Sequence, residues 1–200
     1  MNVRIRFADA ARDTQALLDL YAPYIQRTAI TFETVVPSVQ EYAARIEAIA
    51  AQFPYLVLEV GGEIAGYAYA HRQAERAAFD WNAELSIYLK EDFSGRGIGK
   101  PLYSLLEALL EMQGYVNLFG VITGDNAVSI AMHERMGYRQ IAVHEKTGWK
   151  FGRWHDTVWM HRRTHEGAPQ AIVPVHALDA QRVAPLIAET EKNIAEKLKM

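Results

Sequence analysis

The chain contains no cysteine among its 200 residues. It therefore has no disulfide, no thiolate for a metal ion and no cysteine nucleophile, and this composition fits a reducing compartment. Long apolar runs are also missing, because no stretch approaches the roughly 18 residues that a membrane helix needs. The first ten residues, MNVRIRFADA, lack the apolar core of a signal peptide. We therefore expect a soluble, cytoplasmic protein with no membrane partner.

Positive charge is scarce as well. The 21 Lys and Arg residues are outnumbered by 24 Asp and Glu residues, which gives a formal net charge of −3. The sequence therefore lacks the basic surface of a nucleic-acid-binding domain, and we expect no nucleic-acid partner. Half of the residues are hydrophobic, which is ordinary for a globular protein, and the length suits one domain with a substantial core.

Hydrophobic periodicity and turn residues predict the element order βααβββαβαββ. The clearest local signals are a capping box at residues 38–41, a Gly-Gly hairpin turn at 61–62, and leucines at helical spacing from 102 to 110. The predicted strands span residues 3–7, 55–60, 63–71, 84–90, 116–122, 139–145 and 155–162, with a turn at 148–152 between the last two. This order predicts an α/β (α+β) fold with a mixed sheet and helices on both faces.

The character of the chain changes after residue 163. Residues 164–174 contain two prolines and one glycine, as a linker does, and Pro185 suits the first position of a following helix. That helix carries a narrow apolar stripe, formed by Ile187, Thr190, Ile194 and Leu198. It either lies on its own domain or frays, or it forms a dimer contact. We therefore divide the chain into a domain of residues 1–163 and a linker with a helical tail at 164–200.

Glycine is concentrated in one short loop, FSGRGIGKPL at residues 93–102, between a predicted strand and a predicted helix. A glycine-rich turn that leads into a helix exposes backbone N–H groups, and the helix dipole adds partial positive charge. Such a turn binds anions, most often phosphates. Arg96 and Lys100 add two cations. The structural alternative is a tight connection that binds nothing.

Three phosphate-binding patterns compete for this loop. The ATP-type P-loop needs GxxxxGK followed by Ser or Thr, whereas here the interval from Gly95 to Lys100 is too short and Pro101 follows. The dinucleotide pattern GxGxxG lacks its third glycine, hairpin strands precede the loop, and no βα repeats follow. The third pattern is Gln/Arg-x-x-Gly-x-Gly/Ala after a strand, the pyrophosphate loop of GNAT acetyltransferases. SGRGIG at 94–99 resembles it except at the first position.

A second segment agrees with this resemblance. Asn126, Ser129 and MHERMGY at 132–138 resemble the GNAT segment in which an Asn and a Ser face the CoA arm. Taken alone, Asn126 is also a plausible N-cap, and Ser129 a solvated helix residue. Together with RAAFDWNAELSIYLK at 76–90 and GWKFGRWHD at 148–156, these segments resemble the phosphinothricin and methionine-sulfoximine N-acetyltransferases, a GNAT branch related to L-amino-acid N-acyltransferases.

The resemblance implies a fold and a reaction. The fold is a mixed, mostly antiparallel sheet of six or seven strands, whose two central strands splay apart so that acetyl-CoA lies in the gap. The reaction is direct acetyl transfer, in a ternary complex and without a metal, from acetyl-CoA to the α-amine of a small amino-acid-like acceptor. Members of this branch typically form homodimers with substrate pockets near the subunit contact.

The resemblance also implies catalytic roles for Glu84 and His133. An ammonium group has no free lone pair, and α-amines with pKa values of roughly 8 stay mostly protonated at neutral pH. The carboxylate of Glu84 would take that proton, directly or through water. His133 would donate a proton to the leaving thiolate, as a tyrosine does in many GNAT enzymes. The structural alternatives are a solvated strand-end carboxylate and a helix histidine bonded to a backbone carbonyl.

The remaining site residues come from the same matches. Backbone N–H groups of residues 87–89 are expected to stabilise the oxyanion of the tetrahedral intermediate and to pair with the pantetheine arm. An arginine in the acceptor pocket would bind a carboxylate or phosphinate, and aromatic rings would exclude water. The expected cofactor-binding residues are Ile87, Tyr88, Leu89, Ser94, Gly95, Arg96, Gly97, Ile98, Gly99, Lys100, Asn126 and Ser129. The expected substrate-binding residues are Phe32, Arg76, Phe79, Arg153 and Trp154.

Some residues depart from the branch pattern. Ser94 replaces the usual Gln or Arg, which puts one pyrophosphate contact in question, and Asn82 replaces a common Thr. Gln73-Ala74 stands where a Trp-Lys or Trp-Arg pair is found, which weakens the case for phosphinothricin itself.

Three other functions stay open: a non-catalytic acyl-CoA-binding module, a dinucleotide-binding oxidoreductase, and a peptide or protein N-acetyltransferase. His161 and His165 have no third ligand nearby, so we expect no metal site there.

Overall fold

The structure is a computed structural model that describes residues 2–199. The strands are β1 (Val3–Phe7), β2 (Tyr55–Val60), β3 (Glu63–Arg72), β4 (Asn82–Leu89), β5 (Asn117–Thr123), β6 (Arg139–Lys150) and β7 (Arg153–Arg163). The helices are α1 (Ala10–Arg27), α2 (Val39–Ala50), α3 (Gly99–Gln113), α4 (Ala127–Arg135) and α5 (Ala180–Lys197). The order up to β7 confirms the predicted succession of elements.

Local signals in the sequence position the helix ends. Ser38 Oγ accepts a hydrogen bond from Glu41 N–H at 3.2 Å, and the Glu41 carboxylate accepts one from Ser38 N–H at 2.8 Å. This is the predicted capping box, and it starts α2. α3 ends at Gly114, whose φ of +100° lies in the left-handed region that favours glycine.

The seven strands form one mixed sheet in the order β1-β2-β3-β4-β5-β7-β6. Every neighbouring pair is antiparallel except β4 and β5, which are parallel. These two strands pair only over residues 82–84 and 117–119. Beyond Glu84 they separate, which confirms the predicted splayed centre of the sheet. Because the gap opens towards the C-terminal ends of both strands, it leads directly to the glycine loop.

Helices cover both faces of the sheet. Successive residues of a strand point to opposite faces, so each central strand contributes to two cores. One core is largely aliphatic and lies beneath α3 and α5; fully buried members are Leu56, Leu58, Leu102, Leu106, Leu109 and Leu118. The other core is rich in tyrosine and lies beneath α1 and α2; members are Leu17, Tyr21, Tyr42, Ile46, Tyr55 and Tyr67.

The hairpin of β6 and β7 is longer than the sequence predicts. β6 continues past a register shift between His144 and Gly148, and the turn consists of Phe151 and Gly152, with φ values of 51° and 73°. The predicted turn at residues 148–152 is therefore too wide. Gly148 lies within β6, where a β-carbon would come within 2.2 Å of the Phe32 ring. This glycine permits a close approach between two segments and does not form a turn.

The C-terminal helix α5 lies on its own domain. Val183 and Ile194 are buried in the aliphatic core, and a Glu191 carboxylate oxygen accepts a hydrogen bond from Ile5 N–H of β1 at 2.7 Å. This packing agrees with the first interpretation of the tail. No helix of residues 2–199 is long and apolar enough to cross a membrane.

The start of α5 differs from the prediction. The helix begins at Ala180, and the Asp179 side chain accepts a hydrogen bond from Gln181 N–H. Pro185 lies inside the helix, so its predicted place at the first helical position is wrong. An aspartate cap two residues before Gln181 and tertiary burial of the helix outweigh the local signal of the proline.

Candidate active site

The glycine loop, residues 94–99, turns from the end of β4 into α3 and leaves its amides free. Gly95 and Gly97 have φ values of +74° and +73°, which glycine adopts without strain. Ser94 N–H donates to Glu91 O at 3.0 Å, but in the described part of the chain no protein acceptor takes the N–H groups from Gly95 to Lys100. Consecutive free amides in this conformation form a concave anion site.

The N-terminus of α3 differs from those of the other helices. Side-chain oxygens of Asp9, Ser38, Asn126 and Asp179 cap α1, α2, α4 and α5. The N-cap of α3 is Ile98, which has no polar side chain and is fully buried. The buried isoleucine anchors the loop to the core, and the uncapped helix keeps its N–H groups and dipole available for an anion.

A narrow cavity of about 70 Å³ lies where β4 and β5 diverge. Among residues 2–199, β4 has no strand partner on this side beyond Glu84. The cavity is lined by Ile30, Leu85, Ser86, Ile87, Tyr88, Tyr103, Gly120, Val121, Ile122, Asn126, Ser129 and His133. The fold therefore brings the predicted strand residues, the predicted Asn and Ser of α4, and His133 to one cleft. Leu89 follows on β4, and its carbonyl accepts a hydrogen bond from Tyr24 Oη.

Asn126 caps α4, as we expected if the residue is an N-cap and not only a contact for the CoA arm. Its Oδ1 accepts a hydrogen bond from Ser129 N–H at 3.1 Å. This bond leaves the Asn126 amide nitrogen for the cleft that the residue lines. The cap and a ligand contact are therefore compatible, because they use different atoms of the same side chain.

His133 is buried, and both ring nitrogens have partners. Nδ1 is 2.8 Å from Ser129 O, and Nε2 is 2.9 Å from Tyr103 Oη. A backbone carbonyl only accepts, so Nδ1 carries the proton, and in the neutral ring Nε2 accepts from the Tyr103 hydroxyl. Burial also lowers the pKa of His133. This geometry does not support the predicted role as proton donor to the thiolate. The interpretation as a helix histidine bonded to a backbone carbonyl fits the contacts.

Glu84 occupies the last position at which β4 pairs with β5. Its neighbours Ala83 and Leu85 face the aliphatic core, so the Glu84 side chain faces the side covered by α1 and α2. His71 lies opposite on β3, with its Nε2 3.8 Å from Glu84 Oε1. Burial raises the pKa of the Glu84 carboxyl, and charge on His71 opposes this with a smaller effect. A carboxylate with a raised pKa is a stronger base, as proton abstraction requires.

Sequence reasoning missed two side chains of this site, His71 and Tyr103. The contact of His71 with Glu84 depends on the register of β3 against β4, and that of Tyr103 with His133 depends on how α3 packs against α4. Neither relation has a local signal. An alternating strand pattern does place His71 on the same face as Tyr69, but it leaves the cross-strand partner open.

Phe32 and Arg153 lie near the C-terminal end of β5. Arg153 lines a cavity of about 330 Å³ that shares Ile30 and Asn126 with the cleft. Its Nη2 is 2.8 Å from Asp125 Oδ2, so the guanidinium already has a carboxylate partner. Phe32 packs over Gly148 of β6. These two predicted substrate residues therefore lie next to the opening of the cleft.

Trp154 follows Arg153 in the chain, whereas Arg76 and Phe79 lie elsewhere. Arg76 and Phe79 are exposed in the loop between β3 and β4, which leads into Asn82 at the start of the β4–β5 pairing. Arg153 and Trp154 lie beyond the other end of β5, and a seven-residue strand spans about 20 Å. Within one chain, the five predicted residues therefore lie in two groups, one at each end of β5.

Known proteins resemble the chain over most of its length. The GNAT acetyltransferase domain family matches residues 5–159. The chain is 34% identical to the phosphinothricin N-acetyltransferase of Streptomyces viridochromogenes, over 86% of this chain and 94% of that protein. It is 32% identical to the L-methionine sulfoximine/L-methionine sulfone acetyltransferase of Pseudomonas paraeruginosa, over 80% and 94% of the two chains.

A solved structure extends the comparison to the fold. The phosphinothricin acetyltransferase of Sinorhizobium meliloti, crystallised in complex with acetyl-CoA, superposes with a TM-score of 0.79 at 34% identity, over 90% of this chain and 97% of that chain. This chain therefore shares its fold with a relative that was crystallised with acetyl-CoA. The chain belongs to the GNAT family of acetyltransferases.

Proposed function

We propose that the protein transfers the acetyl group of acetyl-CoA directly, in a ternary complex, to the α-amine of a small amino-acid-like acceptor. Methionine sulfoximine, methionine sulfone and phosphinothricin are the first candidates, because relatives that act on them cover most of the chain. The observation that carries the proposal is the run of free amides from Gly95 to Lys100 at the opening of a cleft that begins beside Glu84.

The glycine loop and β4 would hold the co-substrate. Acetyl-CoA supplies an acetyl group that is activated as a thioester. The free amides of the loop and the uncapped end of α3 suit its diphosphate. The unpaired edge of β4 beyond Glu84 offers backbone groups to the amides of the pantetheine arm, as an added strand would use them. Along β4 the N–H of Tyr88 faces β3, so the N–H groups of Ile87 and Leu89, which face the gap, are the donors proposed for the acetyl carbonyl oxygen.

Glu84 is the proposed general base. It lies where the cleft begins, its pKa is raised by burial, and His71 is its nearest charged neighbour. The carboxylate takes a proton from the acceptor ammonium, directly or through water, and so frees the lone pair that forms the new C–N bond. The second proton leaves the nitrogen as the tetrahedral intermediate collapses and goes to solvent or to the departing thiolate. A raised pKa brings the carboxyl closer to the pKa of the amine, which makes this transfer easier.

The thiolate of CoA is proposed to leave without a proton from His133. A free thiol has a pKa of about 8.5, so its thiolate is a good leaving group. Neutral His133 holds no proton on Nε2 and instead accepts from the Tyr103 hydroxyl. We therefore assign His133 as a positioning residue that fixes Tyr103 in the wall of the cleft.

A homodimer is proposed to complete the acceptor site. The β6–β7 hairpin exposes a group of large apolar side chains: Ile141, Val143, Trp149, Phe151 and Trp154, each between 42% and 56% exposed. Several exposed apolar side chains on one hairpin are typical of a protein contact. Contact between two hairpins offers a way to bring the Arg153 group of one copy to the Arg76 group of the other. Trp154→Glu is expected to give monomers in analytical ultracentrifugation that still bind CoA but have lost acceptor turnover.

A thiol-release assay tests the proposed activity. Free CoA is followed with a thiol reagent, while acetyl-CoA is incubated with amino acids, methionine sulfoximine, methionine sulfone, phosphinothricin and a peptide with a free N-terminus. We expect turnover with at least one of the small acceptors. Turnover with the peptide alone would identify a peptide N-acetyltransferase, and CoA binding without thiol release from any amine would leave only a binding module. The cytoplasmic location stays a prediction.

A further inference from the structure

The C-terminal helix reaches the glycine loop from outside the part of the chain that matches the GNAT family. The family match ends at residue 159, whereas α5 ends at Lys197. A β-carbon on Gly97 would lie 3.8 Å from Lys197 Cδ and 3.9 Å from Lys197 Nζ. The ammonium group of the tail is therefore next to the amides that form the anion site.

Packing fixes the position of this lysine. Ile194 is completely buried and Leu198 nearly so, and these residues flank Lys197 on the side that faces the aliphatic core. Glu191, six residues earlier, is bonded to the backbone of β1 at Ile5. α5 is thus held at both its middle and its end, so Lys197 does not depend on a mobile terminus to reach the loop.

Among residues 2–199, no carboxylate forms an ion pair with Lys197. In the same part of the chain, the loop cations Arg96 and Lys100 form no ion pair either. Two carboxylates, Glu91 and Asp92, precede the loop and disfavour a diphosphate electrostatically. A third cation beside Gly97 offsets that repulsion.

The sequence of the loop gives this cation a specific purpose. At the first position of the pyrophosphate pattern the chain has Ser94, which is too short to supply the contact of the usual Gln or Arg. We propose that Lys197 Nζ binds the diphosphate of acetyl-CoA and so replaces that contact from the tail. This inference rests on the proposed binding of acetyl-CoA at the loop, and it adds residues 164–200 to the co-substrate site.

A competing explanation is that Lys197 only offsets the helix dipole. It lies in the last turn of α5, where a cation interacts favourably with the free carbonyl groups. Lys199 has the same charge at the same end of the helix, but it is exposed. Lys197→Met and Lys199→Met, made as two separate variants, therefore each remove one positive charge. Comparing them distinguishes a direct contact of Lys197 from a general electrostatic effect. Methionine keeps the apolar stem of the side chain.

Calorimetric titration with CoA and with dephospho-CoA, which lacks only the 3′-phosphate, tests the assignment. For Lys197→Met we expect Kd to rise about 5- to 10-fold for both ligands, with a weaker dependence on salt, because one charge-assisted contact is lost. Lys199→Met should change Kd less than about twofold. Thermal unfolding of both variants should match the wild type.

Other outcomes would overturn the assignment of Lys197 or the proposal on which it rests. Equal Kd values for Lys197→Met and the wild type, or equal losses in both variants, would show that the lysine makes no direct contact. A loss seen with CoA but not with dephospho-CoA would assign Lys197 to the 3′-phosphate. If the wild type bound CoA but released no thiol with any amine, the catalytic proposal alone would fail. If it did not bind CoA, both proposals would fall.

Discussion

Replacing Glu84 by Gln tests the chemistry most directly, because it removes the proposed base and keeps the shape of the side chain. Glu84 lies at the start of the cleft and faces the side of α1 and α2, and the Nε2 of its titratable neighbour His71 lies 3.8 Å from its carboxylate. Its pKa is raised by burial, so the carboxylate, which is the form proposed to act as the base, predominates only above that raised value. Wild-type kcat/KM should therefore rise with pH through the pKa of Glu84.

The expected loss depends on pH. An α-amine with a pKa of about 8 is roughly 10% unprotonated at pH 7 and about 90% unprotonated at pH 9. General base catalysis contributes about 100-fold or more, so Glu84→Gln should lower kcat/KM about 100-fold at pH 7, or about 2.7 kcal/mol in barrier height. At pH 9 the amine arrives without its proton, and the deficit should shrink to about 10-fold.

The measurement is kcat/KM from thiol release between pH 6 and pH 9.5, at saturating acetyl-CoA. Glu47→Gln is the matched control, because this carboxylate is exposed on α2, outside the cleft. The control should follow the wild-type profile. If the Glu84→Gln profile ran parallel to the wild type, with the same factor lost at every pH, Glu84 would not be the base.

Three further predictions concern neighbouring parts of the structure. His71→Gln should raise the pKa of Glu84 further, because charge on His71 lowers it, so the acidic limb of the kcat/KM profile should move to higher pH. An unmoved limb would show that the two groups are not coupled. His133→Asn should lower kcat less than about 10-fold and leave the pH profile in place, whereas a proton donor would lose about 100-fold or more. Ile194→Ala should lower the free energy of unfolding by about 2–4 kcal/mol, because the side chain is fully buried, as urea denaturation would measure. No loss of stability would mean that α5 does not belong to the folded domain.

Most of the fold was predictable from local patterns. The capping box at Ser38, the hairpin glycines and the leucine spacing of α3 each depend on neighbouring residues only, and the structure confirms the elements that they predict. The predictions from the sequence were wrong where packing against residues distant in the chain decides the local structure. Gly148 indicated a turn, but it makes room for Phe32, and Pro185 indicated a helix start, but it lies inside α5.

The candidate site also has a part that local sequence patterns predict and a part that depends on contacts between distant residues. The glycine loop and the Asn126 segment are contiguous motifs, so the sequence predicted where to look for the co-substrate. The acceptor residues come from separate segments, and a single chain does not bring Arg76 close to Arg153. The partners of the predicted catalytic residues, His71 for Glu84 and Tyr103 for His133, also come from other elements.

The sequence by itself determined the order of strands and helices and the loop whose amides are free for an anion, because glycine conformation and hydrophobic periodicity act over a few residues. Only the tertiary structure decided the tautomer of His133, the cross-strand neighbour of Glu84 and the arrival of Lys197 beside Gly97. These depend on strand register and helix packing, in which residues far apart in the chain are brought together by burial of the core between them.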